Sequence, residues 1–171
     1  GVMWRQDDLI VVLSSGLGLS VPETYDPDFV ADALTRPGPV QMPACPLMHG
    51  TGALTAFGAL TSGGSIVCLE SRHFDPAELL DTIDRERVNV IAIVGDAFAK
   101  PILAALDADP DRWSLDSVMA FVSSGVMWSE ETKQGMLGHQ PKMLLMDAFS
   151  SSEALGMGQS VSGGGAAAKT A

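Results

Sequence analysis

Cations are scarce in this sequence: 10 Lys and Arg stand against 21 Asp and Glu, a formal charge of −11. A surface this acidic lacks the basic stripe that nucleic acid requires, and anionic membranes repel it. Cysteine is scarce too. Cys45 and Cys68 each lie in an apolar stretch with no C-x-x-C spacing, which argues against a disulfide and predicts two reduced core thiols in a cytoplasmic protein. His49, His73 and His139 are scattered, and no pair has metal-ligand spacing. Long apolar runs are missing. The densest, Ala53 to Leu60, is broken by Gly58 and falls well short of the ~18 residues that span a bilayer. No transmembrane segment is expected, and no secretory leader is visible. Gly1 stands where an initiator Met would, so the start reads as a cut in a longer protein.

Apolar residues, by contrast, make up 46% of the 171 positions. That is material for one domain with a buried core, and it argues against disorder. Four short runs rich in Val, Ile, Leu and Met dominate the second two-thirds: Ser65–Leu69, Asn89–Val94, Ser117–Val122 and Lys142–Met146. Their lack of polar alternation predicts strands buried on both faces of a parallel sheet. Helical patterns lie between them. Asp75-Pro76-Ala77-Glu78 offers a cap, a first-turn proline and a capping-box acid; Leu79, Leu80 and Ile83 then share one face. A second helix carries Ile102, Leu103 and Leu106, with Pro101 expected near its start, and Ser129-Glu130-Glu131 opens a third.

Strand–helix–strand repetition predicts an α/β fold, a mostly parallel sheet with helices on both faces. In the first third, Gln6 to Leu13 reads as a helix stopped by Gly16, and the proline-rich Thr35 to Pro46 as extended chain or loop. Gly52 to Leu60 reads as a small-residue helix suited to close packing. Residues 1–159 are taken as one partial domain and 160–171, rich in Ser, Gly and Ala, as a flexible tail.

Ligands of open parallel sheets bind at the carboxyl ends of strands. Here those ends carry Gly95-Asp96, Ser123-Ser124-Gly125-Val126 and Asp147-Ala148-Phe149-Ser150-Ser151-Ser152-Glu153. Hydroxyls and free N–H groups can hold phosphate oxygens, and Glu153 can ligate Mg²⁺. Ser-rich loops and a nearby acid also arise as ordinary helix caps, so the residues alone leave both readings open. None of these loops contains Lys or Arg, so a triphosphate site here needs cations from elsewhere.

Three motifs in order carry a resemblance. Pro46-Leu47-Met48-His49-Gly50-Thr51-Gly52 resembles the P-L-x-H-x-x-G motif of the AMP-forming adenylate ligases, the superfamily of acyl-CoA synthetases, luciferases and peptide-synthetase adenylation domains. Ser123-Ser124-Gly125-Val126-Met127 resembles its S-G-G-A-P loop, and Asp147 to Glu153 resembles its N-x-Y-G-x-T-E motif. Gly1-Val2-Met3 looks like the close of its phosphate loop. Among members, the sequence is most similar in flavour to actinobacterial acyl-CoA synthetases for fatty or steroid side-chain acids, and it resembles an internal piece of their N-terminal domain.

The resemblance implies ATP, Mg²⁺ and CoA as cofactors and a fatty or related carboxylic acid as substrate. It implies that Ser152 contacts phosphate and Glu153 holds Mg²⁺, as the catalytic pair. Phe149 would lie against adenine, Asp147 near the adenine amino group, and Gly125 and Val126 along the adenine and acyl sites. His49 and Gly50 would line the acyl pocket near the carboxylate. Phe149 and Ser150 stand where the family has Tyr and Gly; Ser124 and Met127 stand where its other loop has Gly and Pro. The family's remaining phosphate loop, ribose-binding Asp and catalytic Lys would lie outside this chain. The chain alone is therefore expected to be inactive and, through exposed apolar edges, to self-associate. A Rossmann-like domain would need a G-x-G-x-x-G turn after its first strand, which is missing. A non-catalytic acyl- or nucleotide-binding module stays open.

Overall fold

A computed structural model describes residues 2–15, 26–35, 37–126, 128–151 and 153–164. The expected stop at Gly16, the motif residues Met127 and Ser152, Gly1, and the end of the expected tail from 165 lie outside them. Helices α1 (Gln6–Ser15) and α2 (Pro27–Thr35) lead into β1 (Val40–Pro43), α3 (Gly50–Thr61), β2 (Ser65–Ile66), α4 (Pro76–Glu86) and β3 (Val90–Ile93). Then follow α5 (Asp96–Ala108), β4 (Ala120–Ser124), α6 (Glu130–His139), β5 (Leu144–Phe149) and β6 (Gly158–Ser162).

The strands form one six-stranded sheet in the order β2-β1-β3-β4-β5-β6. Every pairing is parallel except β5 with β6. From β1 the chain steps one way to β2, then returns past β1 and proceeds the other way through β3, β4 and β5. Right-handed crossovers in opposite directions put their helices on opposite faces. Accordingly, α3 lies against β1, β2 and β3. The other face is the main core: Leu79, Leu80 and Ile83 of α4, Ile102 and Leu106 of α5, and Met136 and Leu137 of α6 pack with Met42, Ile91, Phe121 and Leu145. The expected doubly covered, mostly parallel sheet is present.

Local chemistry explains most elements. Asp75 caps α4 by accepting from the Ala77 N–H at 2.9 Å, with Pro76 in the first turn. Glu78 does not close a capping box. Its carboxylate reaches out to the N–H groups of Glu70 and Ser71 at 2.7 and 3.1 Å, tying the preceding loop to the helix. Ser129 caps α6.

Four further expectations need correction. Pro101 lies inside α5, not at its start, because Gly95 (φ 54°, ψ −154°) launches the helix a turn earlier in a conformation suited to glycine. Part of the proline-rich stretch is β1. The Ala44 N–H donates to Ala92 of β3, so Pro43 turns its missing donor to the other side, where pairing with β2 has already ended at Gln41. Cys68 is exposed, and only Cys45 is buried. Residues 160–162, assigned to the tail, belong to β6, held by main-chain pairing with β5 that polar side chains do not hinder.

Candidate functional site

Reversal of the chain's direction at β1 makes a topological switch between β1 and β3, and close by a crevice opens at the carboxyl ends of β1, β4 and β5. It is a cavity of ≈ 420 Å³ with three walls. Met48, His49, Gly50, Thr51, Leu54 and Thr55 come from the loop after β1 and the first turns of α3; Val122, Ser124 and Gly125 come from β4 and its end; Ala148, Ser150, Ser151 and Leu155 come from β5 and the loop after it. Among the described residues no Lys or Arg lines it.

Each wall has a local cause. His49 is the N-cap of α3: its Nδ1 accepts from the Thr51 N–H at 3.2 Å. In the neutral ring the proton is then on Nε2, leaving a donor. Gly52, one turn in, sits so close to the preceding loop that a Cβ would lie 2.7 Å from the Pro46 carbonyl oxygen. That glycine lets the first turn of α3 nest under the loop. Gly125 ends β4 with φ +92°, and a Cβ there would be 3.3 Å from Cε1 and 3.6 Å from Nε2 of His49. The imidazole edge therefore rests against bare Gly125 backbone.

The pairing register sorts the sheet residues by face. Ser124 pairs with Ala148, and Val122 with Met146, on the cavity side. Ser123 pairs with Asp147 on the core side. There Ser123, fully buried, accepts from the Gly95 N–H at 2.9 Å. Asp147 forms an ion pair with Lys133 of α6, whose side chain is 0% exposed. Nearby, Asp96 Oδ1 accepts from the Ser129 N–H at 3.0 Å and from its hydroxyl at 3.1 Å, while Oδ2 meets Lys100 Nζ at 3.0 Å. Burial pushes the Asp96 carboxyl up, but the Ser129 N–H, Lys100 and the Ser129 hydroxyl together outweigh it and hold it below its ordinary value of 3.8.

The expected site residues separate accordingly. His49, Gly50 and Gly125 meet at the cavity. Val126, Phe149 and Glu153 are exposed at the same carboxyl edge, outside its lining. Asp147 does not reach it: its carboxylate faces away and is committed to Lys133. Ser152 lies outside the described residues. Among those residues no group of three or more His, Cys, Asp or Glu could hold a metal by itself, which leaves Glu153 as a single carboxylate. Sequence reasoning missed Thr51, Leu54 and Thr55 as wall residues; their i, i+3, i+4 spacing puts them on one helix face and was the available signal.

Known proteins share the sequence pattern and the fold of this chain. The family model for the AMP-binding enzyme matches residues 1–170. The chain is 32% identical over 159 residues to a 3-oxocholest-4-en-26-oate–CoA ligase of Rhodococcus rhodochrous, covering 90% of this chain and 28% of that protein. It is 31% identical over 156 residues to the medium-chain acyl-CoA ligase Mig of Mycobacterium avium, again 90% of this chain and 28% of the relative. The chain thus spans under a third of these relatives. Its fold is similar to that of the amide bond synthetase McbA of Marinactinospora thermotolerans, with TM-score 0.63 and 21% identity over 86% of this chain and 27% of that one. It is also similar to a luciferase-like enzyme of the mealworm Zophobas morio, with TM-score 0.62 and 14% identity over 85% and 29% of the two chains.

Proposed function

Because this chain belongs to the AMP-binding enzyme family, we propose that its full-length gene product is an ATP-dependent, AMP-forming acid–CoA ligase. One observation carries the reading: His49, Gly125 and the Ser150–Ser151 turn, from motifs far apart in sequence, share one crevice at the strand ends.

In the proposed reaction a substrate carboxylate oxygen attacks the α-phosphorus of ATP, and pyrophosphate leaves. The CoA thiol then attacks the acyl carbon of the acyl-AMP, and AMP leaves. His49 presents Nε2–H to the acid's carboxylate, oriented by the Thr51 N–H on its other nitrogen. Met48, Leu54, Val122 and Leu155 give the crevice an apolar wall, which suits the hydrocarbon of a fatty or steroid-type acid. The names of the similar ligases point to the same substrate class. Exposed Phe149 offers a ring for the adenine, with Val126 beside it, and Ser152 is assigned to the phosphates.

Glu153 fits Mg²⁺, an ion that takes one or two protein carboxylates and fills its shell with phosphate oxygens and water. When bound, Mg²⁺ would neutralise phosphate charge. With no cation among the described residues that line the crevice, this stretch of chain alone is proposed to be inactive. The same reading puts the protein in the cytoplasm, where ATP and CoA are held; no helix among the described residues is long and apolar enough to cross a membrane. Exposed Leu144 and Val161, on the face that holds the crevice, are the surface proposed for self-association.

The test is acid-dependent ATP–pyrophosphate exchange by the full-length product, with medium- and long-chain acids. Glu153→Ala should lower the exchange rate by about 100-fold, as loss of a charge-stabilising group does. An unchanged rate refutes the Mg²⁺ role. A product that binds acids but exchanges nothing is a non-catalytic module.

A further inference from the structure

Lys133 and Asp147 are the charged side chains buried in the described core; Lys133 is 0% exposed and Asp147 9%. Bringing an ammonium and a carboxylate out of water costs several kcal/mol per ion, and their attraction does little more than offset it. An apolar pair of like volume would serve stability as well. What an ion pair adds over an apolar pair is direction: it holds two elements in one register.

The elements joined here are α6 and β5. Asp147 is flanked on β5 by Met146 and Ala148, and Ala148 lines the crevice. Two residues further on, β5 ends at Phe149 and the chain enters Ser150 and Ser151, also crevice residues. The pair is the last in a row of polar ties beneath the strand ends. Ser123 of β4 holds the Gly95 N–H at the end of β3, Asp96 of α5 holds the start of α6 through Ser129, and Lys133, one turn into α6, holds β5. Ser123 and Asp147 lie on the core face, opposite the crevice, and none of these residues is among those that line it.

We infer that Lys133 is a positioning residue for the proposed adenylation: through Asp147 it fixes the end of β5 and so the placement of the Phe149–Glu153 loop. This rests on the ligase reading only for its effect on turnover. The wall built by His49 and Leu54 is mounted on α3 and is independent of the pair.

The experiment uses the full-length gene product and the variants Lys133→Met, Lys133→Arg and Lys133→Met with Asp147→Leu. Acid-dependent exchange kinetics, thermal melting and amide hydrogen exchange are measured on each. The double variant removes both charges. It should melt within about 3 °C of wild type, yet lose about ten-fold or more in kcat, with KM for the acid within about two-fold. Amides of residues 149–153 should exchange faster in it by a similar factor, while those of α3 stay unchanged. Lys133→Arg, which restores a cation, should recover most of the kcat that Lys133→Met loses. A double variant at wild-type kcat overturns the inference. So does unchanged exchange at 149–153, or a double variant that cannot fold, since the pair then serves folding alone. If the wild type itself shows no ATP–pyrophosphate exchange, the ligase reading falls; hydrogen exchange still decides whether Lys133 holds the loop.

Discussion

Replacing Gly125 by Ala probes the contact that joins two walls of the crevice. At φ +92° an L-residue is strained, at a cost of about 1–3 kcal/mol. The new methyl would also stand 3.3 Å from His49 Cε1, inside the 3.5–4.0 Å optimum for carbon contacts. The ring must give by a few tenths of an ångström, but it is tethered at Nδ1 by the Thr51 N–H. Loosening that cap costs about 1 kcal/mol. The sum is about 2–4 kcal/mol, or about 4–16 °C in Tm at 2–4 °C per kcal/mol for a domain of this size. Placing the same change in a His49→Ala background separates the two parts. With no ring to displace, Gly125→Ala should cost only its backbone strain, so the two changes should couple by about 1 kcal/mol in a double-mutant cycle. Scanning calorimetry of the four proteins reads this directly. A Gly125→Ala variant melting within about 1 °C of wild type would show that the loop relaxes freely, and the constraint on His49 would be refuted.

Two further outcomes follow from single side chains. Cys68 is exposed, whereas Cys45 is buried and burial lifts its thiol above the ordinary 9.0; alkylation under native conditions, followed by peptide mass spectrometry, should modify Cys68 at least about ten-fold faster, and equal rates would contradict the burial. Asp96, held below 3.8 by Ser129 and Lys100, contributes stability that is complete above that value and lost as pH falls through its lower folded value. Asp96→Asn should therefore cost about 1 kcal/mol at pH 7, the gap closing as pH falls below the ordinary 3.8; a gap that persists in acid would mean that its charge is not what counts.

Apolar runs marked four strands correctly, but placed β4 and β5 two or three residues early. Ser123 and Ser124 at the end of β4 and Asp147 within β5 are polar and read as loop. Two of them are buried within the sheet because each finds a partner there: Ser123 the Gly95 N–H, Asp147 the ammonium of Lys133. Those partners lie 28 and 14 residues away in sequence, beyond any local pattern. The same holds for β1, whose proline is tolerated only because a neighbouring strand is two residues long, and for β6, whose Gly and Ser residues pair through main chain. At the site, the motifs located the strand-end loops, and His49 and Gly125 do meet. Periodicity could not reveal which face each strand residue occupies, because a shift of one residue exchanges the faces. That is why Asp147 was assigned to the ligand and belongs to the core.

The antiparallel turn at the end of the sheet has a consequence of its own. A parallel β6 would need a long crossover behind the sheet; reversing direction instead lets the segment after Glu153 fold straight back along β5. The metal-binding candidate thus sits in the loop of a hairpin, between Ser151 and Ala154, which bond each other through their main chains. A short insertion there would change the reach of the acid while leaving the pairing of β5 with β6 in place, so loop length is a dial on where that carboxylate stands.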